Sequence, residues 1–236
     1  MCGRFALSML PHHFQQAFAC DPPDELGESW NVTPDRQIPI VRAGPDGIRE
    51  AAFARWGLLG PWMKEVSDPA RQINVRSETA AAKPMFRDSF KKGRCLIPAT
   101  GFYEWLKAGS GPSRPFFVAL AAGAPFAFAG LCTRKEWDDA GERGVADDGF
   151  LYSATIVTTT PNEVVAPVHD RMPAILAGPE AEAAWLNPEL SAADAIAMLG
   201  PLDGGRMRGA PANPKLNKVG KGMAEGPELL VAPESA

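Results

Sequence analysis

The apolar positions of this chain gather mainly in short β-rich runs rather than in long helical faces. The clearest runs are 38–42, 51–56, 94–98, 116–120, 126–131 and 151–158, each about one strand long and each bounded by Gly, Pro or Asp. Helical periodicity is rarer. Residues 8–20 place Leu10, Phe14 and Phe18 four apart with Pro11 near the start, which predicts one amphipathic helix. Two more are predicted over 180–186 and 191–199, the second opening with Ser191 three residues before Asp194, a weak capping box. Strands and helices do not alternate as βαβ units. The expected fold class is therefore α+β: a single domain on a largely antiparallel β-sheet or barrel core with peripheral helices. The acidic, glycine-bearing stretch 136–149 reads as an exposed loop. Residues from 200 onward, rich in Pro and Gly, are expected to lie extended over the body.

Composition narrows the class without changing that picture. A chain of 236 residues with 45% hydrophobic and 22% charged side chains can bury a substantial core. Cysteines 2, 20, 95 and 132 form no CxxC pair, so neither a zinc site nor a disulfide framework is indicated, and a reducing compartment follows. The start, MCGRFALSML, lacks a basic region followed by a long apolar run; no secretion signal or membrane span is expected, and the protein reads as cytoplasmic. No motif calls for a metal or organic cofactor. The net charge of −4 argues weakly against nucleic acid until the charges are placed. Residues 71–94 carry seven basic side chains against Glu78 and Asp88, and residues 206–221 carry five with no acid. An acidic body thus bears two basic segments. If they meet they form a phosphate-binding groove; on charge alone, two unrelated solvated faces fit as well.

Four positions carry candidate chemistry. Cys2 follows the initiator Met, which is normally trimmed before a small side chain, leaving an amine and a thiol on one residue. An α-amine with pKa about 7.7–8.0 is roughly a tenth to a sixth unprotonated at pH 7, far more than a lysine. With an aldehyde, such a pair forms an imine at nitrogen and closes through sulfur to a thiazolidine. By itself, a cysteine at position 2 is mostly an accident of sequence. In INVRSET, Asn74 and Arg76 share a face if the segment is a strand, where they could grip a sugar oxygen and a phosphate; Asn74 could equally serve a turn and Arg76 pair with Glu78. Glu104 lies between Tyr103 and Trp105, and enclosure by aromatics would raise its pKa toward the range of a general acid or base. His169, in VVAPVHDRMP, has Asp170 and Arg171 beside it to orient the ring or hold a phosphate; the bland alternative is a loop histidine.

Taken together, MCGRF, NVTP, WGLL, INVRSET, MFRDSFKKGRCLIPATGFYEW, TTTPNEVVAPVHDRMP and NPKLNKVGKG resemble the SRAP family, the SOS response-associated peptidases understood as abasic-site processing proteins. The likeness runs over residues 1–231 as one domain and leaves 232–236 as a tail. It implies that Cys2, once Met1 is removed, forms a thiazolidine with the aldehyde of an abasic deoxyribose in single-stranded DNA. It further implies that Asn74 orients the sugar and the amine, that Glu104 is general acid and base, and that His169 helps open the sugar ring. Arg4, Pro34, Trp62, Arg76, Lys83, Trp105, Thr158 and Arg171 fall at positions implied to hold DNA or shape its cleft. The sequence departs from some relatives at Lys83-Pro84, where an arginine precedes Met-Phe; a lysine supplies a point charge but no bidentate grip. The resemblance implies a lyase-like activity on abasic DNA, with self-removal of Met1 as a possible peptidase step, in a monomer that joins the nucleoid when bound to DNA. Class II glutamine amidotransferases also begin Met-Cys-Gly, but their downstream motifs are not recognisable here. An N-terminal-nucleophile amide hydrolase or peptidase nonetheless stays open as an alternative, as does a plain, non-covalent single-strand DNA-binding module.

Overall fold

The computed structural model describes residues 2–44, 46–60, 62–63, 72–107, 109, 111–136 and 150–233. Met1, Arg71, nearly all of the stretch read as an acidic loop and the end of the tail lie outside them. The strands are β1 (Phe5–Leu7), β2 (Ser29–Val32), β3 (Gln37–Ala43), β4 (Arg49–Trp56), β5 (Asn74–Arg76), β6 (Arg94–Ala99), β7 (Gly101–Leu106), β8 (Arg114–Leu120), β9 (Phe126–Glu136), β10 (Phe150–Thr159), β11 (Met172–Pro173), β12 (Ile175–Leu176) and β13 (Met207–Pro211). The α-helices are α1 (Pro11–Phe18), α2 (Ser77–Ala80), α3 (Arg87–Lys92), α4 (Pro179–Leu186) and α5 (Ala192–Ala197).

Five of the longer strands close on themselves. β10 pairs with β4, β4 with β3, β3 with β6, β6 with β9 and β9 again with β10. All these pairings are antiparallel except β4 with β10, and closure leaves the ring no free edge. A second, antiparallel sheet in the order β13-β8-β7-β1-β2 covers the barrel. Side chains alternate across its β1 and β7. Phe5 and Phe102 face the barrel, where Phe5 meets Trp56 at 5.0 Å and Phe128 at 5.7 Å, edge to face. Each such aromatic pair adds about 0.5–1.5 kcal/mol beyond its area burial. Ala6 and Tyr103 face outward into a smaller cluster with Leu216 and Leu229, against which Trp30 and Trp105 pack. Gly101 is required where β7 begins, because a Cβ there would run into the Phe117 ring.

The barrel fold is the α+β, largely antiparallel arrangement expected, and each apolar run read as a strand lies within one. Two local readings shift. Leu10 is not on the buried face of α1: Pro11, with no N–H to donate, takes the first helical position and leaves Leu10 as the half-exposed N-cap. The helix ends at Phe18 because Ala19 turns left-handed (φ 54°). The C-terminal segment is extended, as its composition suggests, but part of it becomes β13 on the sheet edge. The two basic segments go to different sheets: α2 and α3 pack on barrel strands, while 207–217 lies against β8.

Candidate functional site

Cys2 is fully buried just ahead of β1, its Sγ 3.7 Å from the Arg4 carbonyl oxygen. β1 runs antiparallel to β7, with Phe5 opposite Phe102, and Tyr103 N donates to Arg4 O (2.9 Å). This register brings Glu104 alongside the first residues of the chain. Alternation puts the Glu104 side chain on the barrel side with Phe102, opposite Tyr103 and Trp105. It is 3% exposed. Burial pushes its carboxyl up to about 7, the amino-terminal positive charge pulls it back, and Asp170 adds to the rise. The shift read from sequence is present with a different cause: enclosure between sheet and barrel, not the flanking aromatics. Burial also drives the Cys2 thiol well up, and the Glu104 carboxyl drives it further.

Asn74 opens β5, a strand too short to stand alone and held parallel to β10, with Ile156 opposite Asn74 and Thr158 opposite Arg76. Asn74 Nδ2 donates to Cys2 O (2.7 Å). Its Oδ1 is buried and has no hydrogen-bond partner among the described residues. Leaving a buried acceptor unsatisfied costs about 1–3 kcal/mol, so the amide is held here against its own preference. Arg76, two residues on, is exposed.

His169 lies in the loop between β10 and β11. Arg171 N donates to His169 Nδ1 (2.9 Å), and Asp170 Oδ1 lies 2.9 Å from the same nitrogen. A neutral ring cannot use one nitrogen for both. Burial lowers the His169 pKa, the amino-terminal charge lowers it further and Asp170 opposes them. The neutral form therefore prevails at pH 7, with Nδ1 accepting from Arg171 and the proton on Nε2. Glu104 and His169 thus both answer to Asp170, the Glu104 carboxyl acts on the Cys2 thiol, and Asn74 bonds the Cys2 backbone. All four sequence-derived centres come together.

The residues expected around them divide. Arg171 forks onto Glu78 (2.6 and 2.9 Å) and donates to Thr158 O (2.5 Å), while the buried Thr158 hydroxyl donates to Val75 O (3.2 Å). Both therefore fasten β5 and α2 to β10, and Glu78 serves Arg171 rather than Arg76. Arg4 is buried: it donates to Asn31 Oδ1 (2.6 Å) and Leu216 O (3.5 Å) and stacks over Trp105 at 5.6 Å. Trp105 Nε1 donates to Asn217 Oδ1 (2.7 Å), Asn31 Nδ2 to Ala224 O (2.6 Å), and Trp30 N to the Glu225 carboxylate. Sequence reasoning overlooked Asn31, Asn217 and Glu225; the one signal was that NVTP and NPKLNKVGKG are among the resembling blocks. Trp62 is 60% exposed, Pro34 half-buried and Lys83 exposed between α2 and α3. No hydrogen bond among the described residues joins these three to Cys2.

A closed five-strand barrel that buries a cysteine at its second position, among an amide, a carboxyl near neutrality and a neutral imidazole, defines a narrow class of protein. The chain belongs to the SOS response associated peptidase (SRAP) family, which matches residues 1–219. It is 36% identical over 231 residues to the abasic site processing protein YoaM of Bacillus subtilis (strain 168), spanning 95% of this chain and 96% of that protein. The abasic site processing protein YedK of Escherichia coli (strain K12) is 32% identical over 203 residues, 83% of each chain. An X-ray structure of a protein from Bacteroides thetaiotaomicron matches the fold with a TM-score of 0.80 at 26% identity, over 97% of this chain and 98% of that one. No helix among the described residues is long and apolar enough to cross a membrane.

Proposed function

We propose that this protein captures abasic sites in single-stranded DNA as a covalent adduct on Cys2. The observation that carries the reading is the Asn74 amide fixed on the Cys2 carbonyl beside a buried Glu104 whose pKa stands at about 7. The names of its relatives as abasic site processing proteins support the substrate.

Removal of Met1 frees the Cys2 amine, which attacks the aldehyde carbon of the ring-opened deoxyribose. The carbinolamine loses water to give an imine. The thiol then adds across the C=N bond, sulfur to carbon and its proton to nitrogen, so one water leaves overall and no oxidant or reductant is consumed. Glu104, poised between its two protonation states, gives a proton to the departing hydroxyl and takes one from the thiol, which burial keeps protonated until then. The His169 Nε2 proton serves ring opening, and Asn74 orients sugar and amine. Exposed Arg76 and Lys83 meet phosphates, and Pro34, Trp62 and Trp105 shape the cleft. Arg4, Thr158 and Arg171, already bonded within the fold, act by holding the frame.

The test is to incubate Met1-free protein with single-stranded DNA bearing one abasic site and separate the products under denaturing conditions. A conjugate is expected from wild type, and none from Cys2→Ala or from protein that retains Met1. No conjugate from wild type, or an equal yield from Cys2→Ala, overturns the reading.

A further inference from the structure

A second concavity, of about 880 Å3, opens where α3 crosses β6 and β9, and the chemistry above makes no use of it. Its size is that of a ligand site, which typically runs to roughly 300–1,000 Å3. Leu59, Leu186 and Pro188 give it apolar walls. Among the described residues that line it, Arg42, Lys91, Lys92, Arg94, Arg134 and Lys135 supply cations against Asp88 and Glu136. Several of these cations have work within the fold. Arg94 donates to Trp185 O (2.8 Å) and Asn187 O (2.6 Å), Arg42 pairs with Glu50 (3.0 Å) and stacks on Tyr152, Arg134 stacks on Phe150, and Lys135 donates to Met63 O. Lys91 and Lys92 are exposed and have no ion-pair partner among the described residues. Among the described residues the rim is thus mainly cationic, with Lys91 and Lys92 its two loose charges, above an apolar floor.

The cavity also adjoins the candidate DNA cleft. Leu59 and Gly60 line it, Trp62 stands two residues further along the same loop, and the Met85 sulfur that follows Lys83 abuts Gly60. Exposed Lys83, Arg87 and Lys91 recur every four residues, with Arg87 paired to Asp88 (3.6 Å), so exposed cations stand both at the cleft and at the cavity rim. Phosphates suit the loose lysines, and flat apolar bases suit the walls. A base reaches such walls only when unstacked, which favours a single strand over a duplex. We propose that this cavity binds a single-stranded nucleic-acid segment flanking the damaged nucleotide, with Lys91 and Lys92 on its phosphates. The identity of the strand rests on the function proposed above, but binding here requires no adduct.

The test uses undamaged DNA, so it reads out whether or not a conjugate ever forms. Affinities of wild type and the Lys91→Ala/Lys92→Ala double variant are measured by fluorescence anisotropy across a salt series, with oligonucleotides of about 25 and about six nucleotides. For the long strand the double variant should bind several-fold more weakly, and its slope of log K against log salt should fall by about 1.4, about 0.7 per lost phosphate contact. Binding of the short strand should not change. Equal affinity and slope for the long strand, or no binding of it by wild type, overturns the proposal. So does binding of free pyrophosphate that the double variant loses while long-strand binding stays unchanged, since the cavity would then be a small-anion site.

Discussion

On the barrel side of the β1–β7 pair, Cys2 and Glu104 are buried with pKa values driven up, and the neighbouring Asn74 keeps an acceptor with no donor among the described residues. On the outer side of the same two strands, Arg4, Tyr103 and Trp105 each end on a specific partner: Asn31 Oδ1, Trp30 O (2.8 Å) and Asn217 Oδ1. One ladder thus carries two polar clusters, and the outer one commits most of its side-chain groups to partners within the fold, although Arg4 Nε, like Asn74 Oδ1, is buried with no hydrogen-bond partner among the described residues. Matched groups in low dielectric rigidify a structure, whereas unmatched ones are held at an energetic cost and respond to whatever arrives. The outer cluster fixes the strands, and that rigidity holds Cys2 and Glu104 in place beside the Asn74 amide.

Substitutions that touch one face alone test this division. The largest effect is expected from Glu104→Gln, which should slow adduct formation roughly 10²–10⁴-fold in single turnover, the usual worth of general acid–base catalysis. An unchanged rate would take the inner face out of the chemistry. The same variant tests the cause of the shift. Because the folded-state pKa of Glu104 lies above its unfolded value, its stabilising contribution is complete below about pH 4.5 and is lost as pH rises through about 7. Urea midpoints should therefore show the wild type losing up to about 3 kcal/mol relative to Glu104→Gln between those limits. A pH-independent difference would rule out burial as the cause. On the outer face, Asn31→Ala removes both the Arg4 acceptor and the bond to Ala224 and should destabilise by about 2 kcal/mol. The adduct rate of the folded protein should barely move; a loss as large as that of Glu104→Gln would merge the two clusters into one. The smallest effect is expected from Arg76→Ala, exposed and outside both clusters. It should lower the salt slope for single-stranded DNA by about 0.7 with little change in thermal midpoint, and an unaltered slope would remove Arg76 from phosphate contact.

What could be read in advance follows from length and locality. The six apolar runs announce strands because each is long enough to carry its own signal, and five of them form the barrel ring while the sixth, in β8, joins the covering sheet. β1, β2 and β5 have three or four residues each and exist through their partners; β5 owes its conformation to β10, more than seventy residues away. α2 and α3, with four and six residues, are too short to show a helical period. Closure of the ring depends on the parallel pairing of β4 with β10, which no local pattern encodes. Among site residues, Glu104 was legible as buried but not in its direction, because the apolar residues flanking it hide which face is inside. Arg171 was legible as a charge near His169, yet its partner Glu78 comes from another segment, and no local pattern announces that bond.

The C-terminal strap has a consequence in time. Arg4 reaches Leu216, Asn31 reaches Ala224 and the outer cluster closes on Leu229, so a strand made early is finished by residues made 212 and 193 positions later. A nascent chain short of Leu216 presents Cys2 before the outer cluster can form over β1 and β7. Assembly around Cys2 is thereby tied to synthesis of residues 216–229, and a polypeptide stopped before them is an unassembled site rather than a weaker one.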